Sequence, residues 1–124
     1  MIDHVSVAVH DLAAAMRFYE TLLAAIDITK LDVRPATVGF GKKYSEFWIN
    51  LRAEGAKMAN GAHVCFRART TEMVDAFHAA ALAAGGTSDG APGLRPQYGE
   101  GYYAAFIRDP DGNRVEAVTF VDAN

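Results

Sequence analysis

The chain has little of several things whose presence would direct its interpretation. Its 124 residues include one cysteine (Cys65), one tryptophan (Trp48) and four prolines. A single cysteine excludes an intramolecular disulfide framework and fits a reducing compartment. Neither sign of charge dominates, since 12 Lys and Arg against 15 Asp and Glu leave a net charge of −3. The bases are scattered rather than clustered, which argues against nucleic acid and against an anionic membrane surface as partners. No apolar run approaches the roughly 18 residues of a bilayer span. Met1-Ile2-Asp3-His4 has neither the basic start nor the apolar stretch of a secretory leader. These absences predict a soluble, cytoplasmic protein. The 51% hydrophobic content is ample for one core, and the length suits one domain.

What is present is a repeat. His4-Val5 opens one segment and His63-Val64 opens another, 59 residues later. Phe18 and Phe77 then follow at the same distance, as do Leu23 and Leu82. The first unit (1–53) begins with an alternating strand at 2–9. Asp11 is placed to cap a helix whose Leu12, Met16, Tyr19, Leu23 and Ile26 share one face. Three short strands follow near 28–34, 36–41 and 46–52. The second unit (61–124) has a strand at 62–69 and a helix capped by Thr70 or Thr71 that runs to about Ala84 and stops at Gly85-Gly86. A loop rich in Gly and Pro, roughly 87–101, leads to a strand at 102–108. Asp109-Pro110-Asp111-Gly112 then turns the chain into a final strand from Asn113 to Phe120. The stretch at 53–61 reads as the linker. Each unit therefore reads β-α-β-β-β, an α+β class, and two such marginal units are expected to share one core. At an offset of 66, Ile49-Asn50-Leu51 aligns with Val115-Glu116-Ala117.

Alternation assigns the faces. Val5, Val7 and Val9 oppose His4, Ser6 and Ala8; Val64, Phe66 and Ala68 oppose His63, Cys65 and Arg67; Val115 and Ala117 oppose Arg114, Glu116 and Val118. The apolar sets belong under the helices and the mixed polar sets on the opposite, concave face. His4, His63 and Glu116 are thus the candidate metal ligands. Two neutral imidazoles and a carboxylate suit a divalent ion of intermediate hardness (zinc, nickel, manganese or iron) and leave positions open for substrate. Taken singly, each residue is an ordinary polar side chain on a strand; the repeat is what joins them.

The chain resembles the vicinal oxygen chelate superfamily, the glyoxalase / bleomycin-resistance / extradiol-dioxygenase group, over essentially its whole length. The resemblance rests on the paired β-α-β-β-β units. It rests also on His4-Val5-Ser6-Val7-Ala8-Val9 with Asp11-Leu12 and Arg17-Phe18-Tyr19, and on the run from Ala105 through Asp109-Pro110-Asp111-Gly112 to Glu116. It implies a single domain with an eight-stranded, incompletely closed cup, helices outside, and a metal held by ligands from both modules. It also implies a homodimer, because such modules often pair across an interface. The fourth-strand ligand position falls on Asn50, where glyoxalase relatives carry a glutamate that moves the substrate proton. An amide cannot act as a base at neutral pH, so lactoylglutathione lyase activity is not expected.

Other residues complete the expected site. Trp48 and Asn50 share the concave face, and with Arg67 and Arg95 they are the candidate substrate-binding residues. Arg67 and Arg114 could each grip an anionic group, although Arg114 reads better as reaching to solvent at the strand margin. Tyr98 and Tyr102, in the loop from Gly93 to Tyr103, are candidate proton donors beside Glu116, the candidate acid–base residue. Cys65 reads as inert, His10 as a turn residue and His78 as a helix-face residue. The function expected is metal-dependent lyase, isomerase or dioxygenase chemistry on a small molecule that chelates through oxygen. The alternatives are a non-catalytic cup that sequesters a drug-like compound, as in bleomycin resistance, and a dimeric scaffold or regulatory module.

Overall fold

Asp11 and Thr70 do the same work in the two units. In the computed structural model, which describes residues 1–53 and 62–122, the Asp11 carboxylate accepts from the Ala14 amide at 3.0 Å. The Thr70 hydroxyl accepts from the Met73 amide at 3.1 Å. Each satisfies one of the free amides of a helix first turn. Helix α1 (Leu12–Ala24) and helix α2 (Thr71–Ala83) consequently start, and end, 59 residues apart. Asp11→Ala should cost about 1 kcal/mol in urea unfolding, the usual worth of such a cap. An unchanged midpoint would show that the cap is idle.

Around the helices lie β1 (Val5–Val9), β2 (Thr29–Val33), β3 (Thr37–Gly41), β4 (Ser45–Leu51), β5 (His63–Arg67), β6 (Thr87–Leu94), β7 (Tyr102–Arg108) and β8 (Arg114–Phe120). The eight strands form two separate four-stranded sheets, ordered β1-β4-β3-β2 and β5-β8-β7-β6. Each pairs its first and last strands in parallel and the rest antiparallel. The β-α-β-β-β plan therefore holds in both modules. The expected 87–101 loop is in part strand: β6 pairs with β7 through two register shifts, one each side of Gly90. Its Pro92 is tolerated because β6 is an edge, where a missing amide breaks no ladder. Of the linker expected at 53–61, residues 54–61 lie outside the described residues.

The ladders revise the tail alignment. Val5 pairs with Phe47 and Val64 with Val115, so β4 corresponds to β8 at an offset of 68 when the helices are matched. The counterpart of Glu116 is then Trp48, and Asn50 corresponds to Val118. On the neighbouring strands Gly39 faces Trp48, whereas Phe106 faces Glu116. A Cβ on Gly39 would lie 2.8 Å from the indole, so the first module omits a side chain on β3 to lay Trp48 on the sheet.

The apolar faces of both sheets join one core. Val7, Val9, Phe47 and Ile49 from the first sheet and Phe66, Val115 and Ala117 from the second are buried in it with Tyr19, Leu22 and Phe77. The rings of Phe47 and Phe66 meet edge-on at 5.0 Å across the two modules, and α1 packs against α2. The polar faces are therefore the outer ones. Among the described residues no helix is long and apolar enough to cross a membrane.

A second junction is polar. Asp109, 4% exposed, accepts from the Tyr19 hydroxyl at 2.5 Å, the Asn113 side-chain amide at 2.8 Å, and the backbone amides of Asp111 at 2.9 Å and Asn113 at 2.8 Å. Asn113 also donates to the Ala8 carbonyl at 2.9 Å, and the His10 amide donates to Asp111 at 3.1 Å. The Asp-Pro-Asp-Gly turn thus fastens the second module to α1 and β1 of the first. His10 is a turn residue bonded to Asp111, and His78, on α2, contacts Ser88 at 2.8 Å.

Candidate functional site

Glu116 is the most deeply set polar side chain of the second sheet, at 1% exposure. Burial of a carboxylate demands partners, and both oxygens have one. Oε1 lies 2.8 Å from His63 Nε2, and Oε2 accepts from the Tyr102 hydroxyl at 2.5 Å. The topology explains the meeting. β5 lies parallel to β8 with His63 beside Arg114 and Cys65 beside Glu116, while β7 runs along the other edge of β8 and presents Tyr102 on the same face. Burial first, then the bond to Glu116, raises the Tyr102 phenol well above its ordinary value. Tyr102 therefore keeps its proton at neutral pH and can act as a donor.

Cys65 shares this face. The residue is exposed as a whole, yet loss of water around its sulfur and the adjacent Glu116 carboxylate push the thiol up to about 12. A thiol held that high carries almost no thiolate at neutral pH, consistent with an inert cysteine.

A cavity of about 510 Å³ opens beside this triplet, lined by His63, Asp89, Arg95, Tyr98, Phe106 and Arg114 among others. Tyr98 stands at its mouth, 61% exposed, with its ring edge-on to Tyr102 at 5.6 Å and tilted on Phe106 at 6.5 Å. Tyr98 has no hydrogen bond to Glu116; of the two tyrosines, Tyr102 is the one in contact with the carboxylate. Arg67 lies over the Phe120 ring at 4.9 Å and does not line this cavity.

His4 is elsewhere in the chain. It precedes β1 of the first sheet and lines a separate pocket of about 460 Å³ with Asp3, Ser6, Arg34, Thr37, Ser45, Trp48 and Asn50. Its Nδ1 is 2.8 Å from Asp3 Oδ2, an arrangement that leaves Nε2 free and orients the ring, as carboxylates do behind metal-bound histidines. Asn50 accepts from the Thr37 hydroxyl at 2.6 Å, and Arg34 covers the Trp48 ring at 5.1 Å. Asp3 was not among the residues singled out from sequence, because it is adjacent in the chain and alternation places it on the opposite face.

The structure thus brings together His63, Glu116 and Tyr102, and in one chain it leaves His4 with Asp3, Trp48 and Asn50. Among the described residues no three His, Cys, Asp or Glu side chains of a single chain converge to hold a metal. The nitrogen–oxygen donor chemistry of His63 and Glu116 fits a divalent ion of intermediate hardness, but one chain supplies two of the three donors.

Comparison with known proteins agrees with this architecture. Residues 1–117 match the family described as the Glyoxalase/Bleomycin resistance protein/Dioxygenase superfamily. A glyoxalase/bleomycin resistance protein from Albidiferax ferrireducens T118 is 35% identical, with a TM-score of 0.83 over 94% of this chain and 96% of that one. A family enzyme from Burkholderia phytofirmans PsJN superposes with a TM-score of 0.76 at 21% identity, over 97% and 98% of the two chains. The fosfomycin resistance protein FosX from Mesorhizobium loti shares the fold at 16% identity, with a TM-score of 0.69 over 98% and 92%. No curated protein matches the chain. With a match over nearly its full length and a relative above 30% identity, the chain belongs to the glyoxalase/bleomycin resistance/dioxygenase superfamily.

Proposed function

We propose that the protein is a metal-dependent enzyme acting on a small oxygen-chelating molecule, with each active site built from two copies of the chain. The observation that supports this most is the buried Glu116 carboxylate, gripped by Tyr102 and facing a His63 ring whose side chain is 49% exposed toward the cavity. A carboxylate buried this deeply, beside an imidazole open to solvent, suits a functional site better than a solvated sheet margin.

The shared site follows from the incomplete donor set. Each chain has two outward pockets of similar volume, one lined by His4 and the other by His63, which contacts the buried Glu116 behind it. In a two-fold dimer each contact between unlike patches occurs twice, so one such pairing completes both sites. Leu31, Val33, Leu94 and Phe120, all exposed strand residues, supply apolar surface for such a contact. His4 of one copy would join His63 and Glu116 of the other, and Trp48 and Asn50 would close the cavity. An ion held there supplies Lewis acidity to a substrate oxygen. Tyr102 holds a proton beside Glu116 Oε2, and Tyr98 and Phe106 wall the cavity against water. Lyase, isomerase and dioxygenase reactions all fit this arrangement.

Metal analysis of the purified and the reconstituted protein tests the reading, with about one zinc, nickel, manganese or iron per chain as the expected result. His63→Ala should abolish retention while leaving the circular dichroism unchanged. Full retention in that variant, or no divalent ion in the wild type after reconstitution, removes the enzyme reading. The aromatic lining of Tyr98 and Phe106 then favours the second reading, a cup that binds a small molecule without turnover.

A further inference from the structure

The wall of the 510 Å³ cavity opposite His63 is shaped around one guanidinium. Arg95 lies over the Phe106 ring, 5.3 Å from its centroid. Its Nη2 donates to the Ala91 carbonyl at 2.6 Å. The backbone of β6 is cut away to admit it: a Cβ on Gly90 would fall 3.1 Å from Nη2 and 2.9 Å from the Phe106 ring, and one on Gly93 would fall 3.3 Å from Nη1. The two register shifts of β6 flank Gly90, the first from Ser88 and the second to Gly93. So the glycines that disguise this strand in the sequence are the ones that seat the side chain.

Charge in this wall is unbalanced. Among the described residues neither Arg95 nor Arg114 has an ion-pair partner, whereas the lining carboxylate, Asp89, is already paired with Arg108 at 3.6 Å. A guanidinium held flat by a ring and a carbonyl loses little freedom on gripping an anion, and its planar fork matches a carboxylate. Phe106, part-exposed, offers apolar surface beside it.

We infer that Arg95 is a pre-set anchor for a small organic carboxylate, whose apolar body lies along Phe106 while its carboxylate reaches Arg95, with Arg114 supplying a second positive charge. The inference rests on reading this face as the substrate-binding half of the site and narrows the substrate class of that half. Arg95 and the donor residues are separate side chains, so the two readings can fail separately.

The test uses full-length protein treated with EDTA, so that no ion contributes to carboxylate binding. Titration with 2-naphthoate and with its neutral isostere 2-naphthamide should show at least about tenfold tighter binding of the acid, the worth of a charge-assisted hydrogen-bond pair. Arg95→Gln should erase that preference, and Arg95→Lys should restore part of it by keeping the charge without the fork. Circular dichroism, sedimentation and metal content of the Gln variant should match the wild type. Acid and amide binding within twofold of each other, no binding of either, or an Arg95→Gln variant that is folded and keeps the wild-type preference would each overturn the inference. A protein that takes up no divalent ion on reconstitution, yet binds 2-naphthoate through Arg95, would instead overturn the metal reading alone.

Discussion

Replacing Asp109 by alanine is expected to destabilise the fold by about 2–4 kcal/mol, because buried donors are left without their acceptor. The reason lies in what is left behind. Four donors point at this carboxylate, from Tyr19, from the Asn113 side chain and from the backbone of Asp111 and Asn113. In the variant the fully buried Tyr19 hydroxyl faces a cavity rather than an acceptor, and the Asn113 amide keeps only the Ala8 carbonyl. Tyr19→Phe removes one donor and should cost less, about 1–2 kcal/mol. The double variant should cost less than the sum, because the Tyr19–Asp109 bond is then lost once rather than twice. Urea unfolding of the four proteins measures this. Strict additivity would show that Tyr19 and Asp109 do not act together.

The same residue gives the fold a pH dependence of known sign. Burial raises the Asp109 carboxyl above its ordinary value against the pull of its donors. The folded state therefore holds this proton more tightly than the unfolded state. Stability contributed by Asp109 falls as pH rises through the window between the ordinary carboxylate value of about 3.9 and the raised one. Asp109→Ala deletes this contribution, so the gap between wild type and variant should widen as pH falls through that window. A gap that narrows would mean that the four donors outweigh burial. Tyr19, raised well above the usual phenol range by burial and by Asp109, stays protonated throughout.

The second large effect concerns the proposed shared site. His4→Ala and Glu116→Ala should each weaken retention of a divalent ion by at least about 100-fold, since even the partners behind metal ligands are worth 10–100-fold. If a site takes His4 from one copy and His63 with Glu116 from the other, the two inactive variants complement each other. In a heterodimer refolded from both, one site combines the intact His4 of the Glu116→Ala chain with the intact His63 and Glu116 of the His4→Ala chain. The other site carries both defects. The purified heterodimer should hold one ion per dimer while both variant homodimers hold none. A heterodimer as empty as its parents, beside a loaded wild type, would place each site within a single chain. Glu116→Ala also leaves the Tyr102 hydroxyl without its acceptor, so its folding should be checked by circular dichroism before the ion is counted.

These expectations draw on different levels of the molecule. The two modules, their helices and the inward and outward faces of β1, β5 and β8 were legible in the chain, because alternation and 3.6-residue periodicity are local properties. The cap at Asp11 was equally plain and is borne out, whereas the second was narrowed only to Thr70 or Thr71, of which Thr70 is the cap. The strand at Thr87–Leu94 was hidden, since its glycines and Pro92 read as loop until an edge position and the seat of Arg95 account for them. The Asp-Pro-Asp-Gly turn was visible as a turn, but its grip on Tyr19, Ala8 and His10 joins residues about a hundred positions apart and has no local signal.

By itself the sequence determined that this is a duplicated α+β chain with histidines and a glutamate on its polar strand faces, because side-chain alternation follows from backbone geometry alone. Only the tertiary structure decided which of them meet. Strand register brings the His63 and Tyr102 side chains to Glu116, makes Trp48 rather than Asn50 its counterpart, and leaves His4 beside the other sheet. Register is set by long-range pairing and by packing of the shared core, and a shift of two residues preserves every face while changing every neighbour.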